Sequence, residues 1–185
     1  MHAERDLLCG ILVPALRRNV ALGLRVHLNE IDLRWGVPEP ATYNSQALQI
    51  CLEQAAASDI FVLLLGDRYG CIPDEAVVMS LPESLLSEVC KFYKPGMSMT
   101  EMEYHMARHA AISKVPIHER RQQNIVSFHE AIRLRICVFI RDSASIENVP
   151  DELKDCFEEY DVEKRNRLNA FKELIRNDGV IVSHK

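Results

Sequence analysis

Apolar residues recur at helical spacing over residues 3–19, where Leu7, Leu8, Ile11, Leu12, Ala15 and Leu16 share one face. Glu4 and Asp6 lie near the positive end of that segment's dipole, and Arg17 and Arg18 near its negative end. Pro14 inside the pattern predicts a kink or a division, and Gly23 predicts the end. The period then changes. Leu24, Val26 and Leu28 alternate with Arg25, His27 and Asn29, the repeat of a strand with one more exposed face. The phase slips at Glu30-Ile31, where a bulge or strand end is expected. A polar, proline-containing loop from Asp32 to Pro40 leads to a helix over about 44–57, with Ala47, Leu48, Cys51, Leu52 and Ala55 on one stripe. Ile60 to Leu65 is apolar without alternation, the pattern of a parallel strand covered on both faces. It stops at Gly66-Asp67-Arg68-Tyr69-Gly70.

Residues 71–97 form a less regular connection with a short helix predicted around 82–93. Ser98-Met99-Thr100-Glu101 is a capping box, so a helix should start at Met99 and run to about Ile112. A polar stretch over 113–134 holds a short helix near 125–133, and Ile136 to Ile140 is another buried strand. Pro150 opens a long helix whose stripe is Leu153, Phe157, Tyr160, Lys164, Leu168, Phe171 and Ile175. Asn177-Asp178-Gly179 stops it, and Val180 to Val182 is a last short strand. Helices and strands thus alternate, as in a parallel sheet with helices on both faces, and the expected fold is one α/β domain.

The length, 185 residues, suits one such domain, and a hydrophobic share of 48% argues for a packed core. A net charge of −5, with no basic run interleaved with aromatics, speaks against direct nucleic-acid binding. No apolar run approaches the roughly 20 residues of a membrane helix, and the polar start, Met-His-Ala-Glu-Arg-Asp, is unlike a signal peptide. The six cysteines form no Cys-x-x-Cys pair and read as buried reduced thiols. A soluble, cytoplasmic protein is expected.

Four stretches change this picture together. Met1 to Leu8, Asp32-Leu33-Arg34-Trp35-Gly36-Val37, Leu64 to Gly70 and Ser98 to Glu103 occur in this order, followed by a strand over Cys137 to Asp142. The set resembles the N-terminal Toll/interleukin-receptor-like domain of uncharacterised function found in NACHT–WD-repeat proteins, telomerase protein component 1 and nephrocystin-3. The resemblance covers nearly the whole chain and implies a three-layer, mainly parallel sheet in flavodoxin-like or Toll/interleukin-receptor-like order. Members of that family begin with a strand before the Asp-Met-x-x-Glu-Arg-Asp element, whereas this chain begins at the Met of that element. In a flavodoxin-like order the first strand lies centrally, so residues 24–31 and 60–65 are expected to lose their shared neighbour. A fragment, a different start or an isoform would account for this. Relatives continue into a nucleotide-binding NACHT module, but no Gly-x-x-x-x-Gly-Lys-Ser/Thr motif occurs here.

Among individual residues, Glu103 shares the helical face of Met99, Met102, Met106 and Ala110, whereas Glu101 should point toward water. An inward carboxylate near strand ends suits acid–base or sugar-contacting work. The resemblance adds that Toll/interleukin-receptor-like NAD hydrolases carry a catalytic Glu on the corresponding helix. The competing reading is a Glu stabilised by the helix dipole and paired with Arg34 or Arg68. The loops Asp32-Arg34-Trp35-Gly36 and Gly66-Arg68-Tyr69-Gly70 follow predicted strands, at the edge where open α/β sheets gather ligands. Arginine beside an aromatic ring suits a nucleotide phosphate and base. Equally, the glycines serve positive φ and the rings close the sheet edge. His105 and His109 have metal-ligand spacing but no third ligand, so no metal is expected and both are read as exposed. The runs Glu119 to Gln123 and Glu158-Glu159 to Arg167 read as solvated, and Ser98 as a cap.

Two functions follow. One is an interaction or sensor domain of a NACHT-type signalling ATPase, needing no cofactor and acting through protein partners and self-association. The other is NAD cleavage with Glu103 on the ribose and the Arg34 and Arg68 loops on phosphates. A truncated product without independent activity is the third expectation.

Overall fold

In a computed structural model the described residues are 2–32, 45–116, 125–155 and 157–181. They fall into two units, Met1–Val37 and Pro38–Lys185.

The first unit is one helix, α1 (residues 2–24), that alternates between α and π turns. The α stretches are His2–Leu7, Val13–Leu16 and Leu22–Leu24, and the π stretches are Leu8–Leu12 and Arg17–Ala21. The Val13 N–H reaches back to the Leu8 carbonyl, and Pro14 stands at the start of the next α stretch, where its missing donor is tolerated. The expected kink is thus absorbed in widened turns. Arg25, at φ 56°, turns the chain back. The strand expected over 24–31 is not formed: 22–24 are helical, and 26–32 have no regular structure. The physical reason lies in its partners, because Arg17 Nε donates to the Leu28 carbonyl (3.0 Å) and the same guanidinium pairs with Glu30. A side chain, not a neighbouring strand, takes up the Leu28 carbonyl.

In the second unit, α2 (Ser45–Ala57) buries the expected stripe of Ala47, Leu48, Cys51, Leu52 and Ala55. Strands β1 (Phe61–Leu65) and β2 (Ile136–Ile140) pair in parallel, with Phe61 opposite Ile136 and Leu65 opposite Ile140. Of the last expected strand, Ile181 forms a bridge to Val138, whose N–H donates to Val180 (3.0 Å), and Val182 lies outside the described residues. A second isolated parallel bridge joins Asp67, just past β1, to Glu158, and among the described residues the strand pair and these two bridges are the only β pairing.

The crossover from β1 to β2 holds α3 (Glu75–Met79), α4 (Glu83–Val89), α5 (Met99–Ser113) and α6 (Ile125–Arg133). Ser98 caps α5 as expected, its hydroxyl accepting the Glu101 N–H. The helix opened by Pro150 is only α7 (Asp151–Lys154). Asp161 then accepts the N–H groups of Glu163 and Lys164 and starts α8 (Val162–Asp178), so the expected long helix is two. Gly179, left-handed at φ 66°, ends α8, and a Cβ there would meet Arg133 at 2.5 Å.

One core cluster joins Leu63, Leu65, Ile136 and Val138 of the sheet to Tyr104, Ala107, Ile132, Leu168, Phe171 and Ile175. A second packs α2 and α5 through Leu48, Leu52, Met102 and Met106, together with Val78 and Val89. The expectation of strands covered on both faces is corrected here. Leu63 and Leu65 are buried, but Val62 on the opposite face is exposed and Leu64, Cys137 and Phe139 are only half-buried.

Candidate functional site

The C-terminal ends of β1 and β2 and the first turns of α5 bring several polar side chains together. Asp67, just past β1, accepts hydrogen bonds from Lys172 of α8 (2.8 Å) and from the Ser143 hydroxyl (2.9 Å). Both members of the ion pair are largely buried, and the second Asp67 oxygen, Oδ2, is buried with no protein donor among the described residues. Tyr69 is 2% exposed. Its hydroxyl donates to Glu101 and accepts the Ser98 N–H (3.2 Å), while its backbone N–H donates to Glu159 (3.3 Å). Gly70 follows at φ 93°, a conformation that favours glycine, and so frees the chain to turn away from the buried ring.

Burial raises the Glu101 carboxyl, opposed in part by the Tyr69 hydroxyl. The Tyr69 phenol is pushed up to about 12 by burial first and by Glu101 second. His105, one turn on, stacks on Phe92 at 4.9 Å and stands 4.0 Å from Glu101. Burial, then Arg108, pushes its imidazole down to about 4. On the next face, Asp178 accepts from the Tyr104 hydroxyl (2.8 Å) and from Arg108 through two nitrogens (2.8 and 3.1 Å), tying α8 to α5.

Several expected placements are overturned. Glu101 does not point to water: its side chain keeps 15% of its exposure because the Gly66–Gly70 loop brings Tyr69 over it. His105 is not an exposed histidine, having Phe92 on its ring; His109 is partly exposed and pairs with Glu88 (3.1 Å). Glu158 and Glu159 precede α8 rather than lining its wet face, and Glu159 holds the Tyr69 backbone.

Glu103 lies half-buried on α5 and engages the Cys51 thiol of α2, which burial first, then Glu103, raises to about 12. Asp32 belongs to the first unit, where it accepts from Arg5 (3.3 Å) and Cys9 (3.7 Å). Arg68 is exposed beside Gly66 and Gly70. Arg34, Trp35 and Gly36, and with them the pairing of Glu103 to Arg34, lie outside the described residues, as does the run Glu119 to Gln123.

Chemically, burial favours the uncharged form of each group: the Tyr69 phenol and the Glu101 carboxyl keep their protons more tightly, and the His105 imidazole gives up its second proton more readily. No group of His, Cys, Asp or Glu able to hold a metal occurs among the described residues. Sequence reasoning missed Glu101, Lys172 and the Tyr104–Asp178–Arg108 tie. The capping box was the one signal for Glu101, since it marks a glutamate in the first turn, facing whatever precedes the helix.

A family model described as a domain of unknown function, DUF4062, matches residues 1–185. The chain belongs to the DUF4062 family. It is 32% identical to telomerase protein component 1 of Rattus norvegicus over its whole length, and 32% identical to the Mus musculus protein over 95% of it. A TPR repeat-containing protein of Dictyostelium discoideum is 24% identical over 95% of the chain. The DUF4062 chain spans 6% of the two telomerase components and 10% of the Dictyostelium protein, so it corresponds to one domain's length within much larger relatives. No solved structure matches it.

Among the described residues no helix is long and apolar enough to cross a membrane. The five described cysteines are free thiols.

Proposed function

We propose that this chain is a protein-interaction or sensor module of a NACHT-type signalling protein, working in the cytoplasm through protein contacts that include self-association. One observation carries the reading. Apart from Asp67 Oδ2, the polar groups named at the strand ends are taken up by each other, while apolar side chains at Ile60, Val62 and Leu134 stand open to solvent. A polar cluster bonded mostly within itself offers little to a small ligand, and open apolar surface suits another protein. The resemblance to NACHT-associated Toll/interleukin-receptor-like domains and the small share of the relatives that the chain spans support the same reading.

The test runs the chain in two parallel assays. Sedimentation velocity over rising concentration is expected to show a rising average mass, and incubation with NAD is expected to leave it intact. Nicotinamide release that vanishes in Glu103→Ala would replace this reading with NAD cleavage.

A further inference from the structure

Three of the described tyrosines are closed to a second protein. Tyr69 and Tyr104 are buried with their hydroxyls bonded to Glu101 and Asp178, and Tyr93, just past α4, is half-buried. Tyr160 is different. It is 55% exposed, and its hydroxyl donates to Asp155 (3.1 Å), which is itself exposed.

Tyr160 lies between α7 and α8 on backbone that is neither helix nor strand, yet the chain is fixed on both sides of it. Before it, Glu158 bridges to Asp67, and the Glu159 carboxylate accepts the Tyr69 N–H (3.3 Å). Arg165 donates twice to the Glu159 carbonyl (3.0 and 2.8 Å). After it, Asp161 is extended at φ −68° and ψ 120° and caps α8. An enzyme that modifies a side chain in a helix must first unwind the helix, whereas this ring already stands out from a held, non-helical stretch. Charge narrows the class of enzyme. Glu158, Glu159, Asp161 and Glu163 lie within three residues of Tyr160, and no base lies as near along the chain. Lys164 and Arg165 come next, with Arg165 turned back onto Glu159.

We propose that Tyr160 is a phosphate acceptor for a tyrosine-directed protein kinase with a basic substrate groove, and that the phosphate loosens this segment from the Gly66–Gly70 loop. The phenolic oxygen attacks the γ-phosphorus of a nucleoside triphosphate held by the kinase. Its proton passes to the kinase's base, the bond to the bridging oxygen breaks, and the nucleoside diphosphate leaves. The modified oxygen no longer donates to Asp155 and carries close to two negative charges, so Asp155 and Glu158 repel it. Glu158 and its neighbour Glu159 are the residues that fasten Asp67 and the Tyr69 N–H, so the repulsion acts on that fastening. The inference stands whether or not the chain self-associates.

The test incubates the 185-residue chain with ATP and the catalytic domain of an acid-preferring tyrosine kinase, and maps phosphate by peptide mass. Tyr160 should carry it, at a rate within about tenfold of that of a free peptide of residues 154–165, and Tyr160→Phe should lose the signal. Exchange of the Tyr69 amide proton, followed by NMR, should quicken by about tenfold on phosphorylation and stay as it was in Tyr160→Phe treated in the same way. A native chain modified more than ~tenfold slower than the peptide, or at another tyrosine in place of Tyr160, overturns the acceptor. A phosphorylated chain whose Tyr69 amide exchanges as before overturns the release.

Discussion

Helices α1 and α8 carry the same kind of apolar stripe and meet different fates. In α8, Leu168, Phe171 and Ile175 are buried in a cluster shared with both strands and with α5. In α1, Leu7, Ile11, Leu12, Leu16 and Val20 are all close to half exposed or more, and no described side chain of residues 3–32 is buried. A helical period reports that a face is apolar, not that anything lies against it. Stability should therefore be concentrated in the second unit.

The sharpest way to break this contrast is Phe171→Ala. Phe171 is 1% exposed and edge-on to Tyr104 at 5.4 Å, so its loss should cost about 3–5 kcal/mol in a urea unfolding curve. A loss under ~1 kcal/mol would mean that the α8 core is no firmer than α1. Next is Asp178→Ala, which leaves the buried Tyr104 hydroxyl without its acceptor and Arg108 without its partner, for about 2–3 kcal/mol by the same measurement.

The third prediction is pH-dependent. His105 titrates near 6.5 in the unfolded chain and is depressed to about 4 in the folded one, so between these values the unfolded state binds the extra proton. The neutral ring's contribution is complete above pH 6.5 and lost as pH falls toward 4, on the order of 2–3 kcal/mol. Glu101, raised on folding, works the other way over the carboxylate range. His105→Gln should flatten the decline between pH 6.5 and 4; an unchanged slope would place the titrating group elsewhere. The smallest effect belongs to Ile11→Ala, expected at under ~0.5 kcal/mol. A cost approaching that of Phe171→Ala would show that α1 is held by a core after all.

Much of this was legible from the order of residues. The spans 45–57, 61–65, 99–113, 125–133 and 136–140 match the expected elements within a residue, because caps, breakers and short-range periods are local. The expectation failed where local pattern needed a distant partner. Leu24 to Asn29 alternates like a strand, but a strand exists only through a neighbour's backbone, and here Arg17 occupies the Leu28 carbonyl. The single stripe from Leu153 to Ile175 looked continuous, yet Asp161 starts a new helix because its side chain satisfies two free N–H groups there.

The candidate site divides on the same line. The Ser98 cap, the loop from Gly66 to Gly70 and the apolar face of Met99, Met102 and Met106 on α5 are properties of neighbours in the chain, and the sequence alone determined them. That Glu101 holds Tyr69, that Glu103 meets Cys51 and that Lys172 neutralises Asp67 are contacts across 32, 52 and 105 residues, the middle separation being that between positions 51 and 103. Only the packing of α2, α5 and α8 around the strands decided them. A helical wheel gives each side chain a direction, but burial, and with it every shifted proton here, depends on what the rest of the chain brings to meet it.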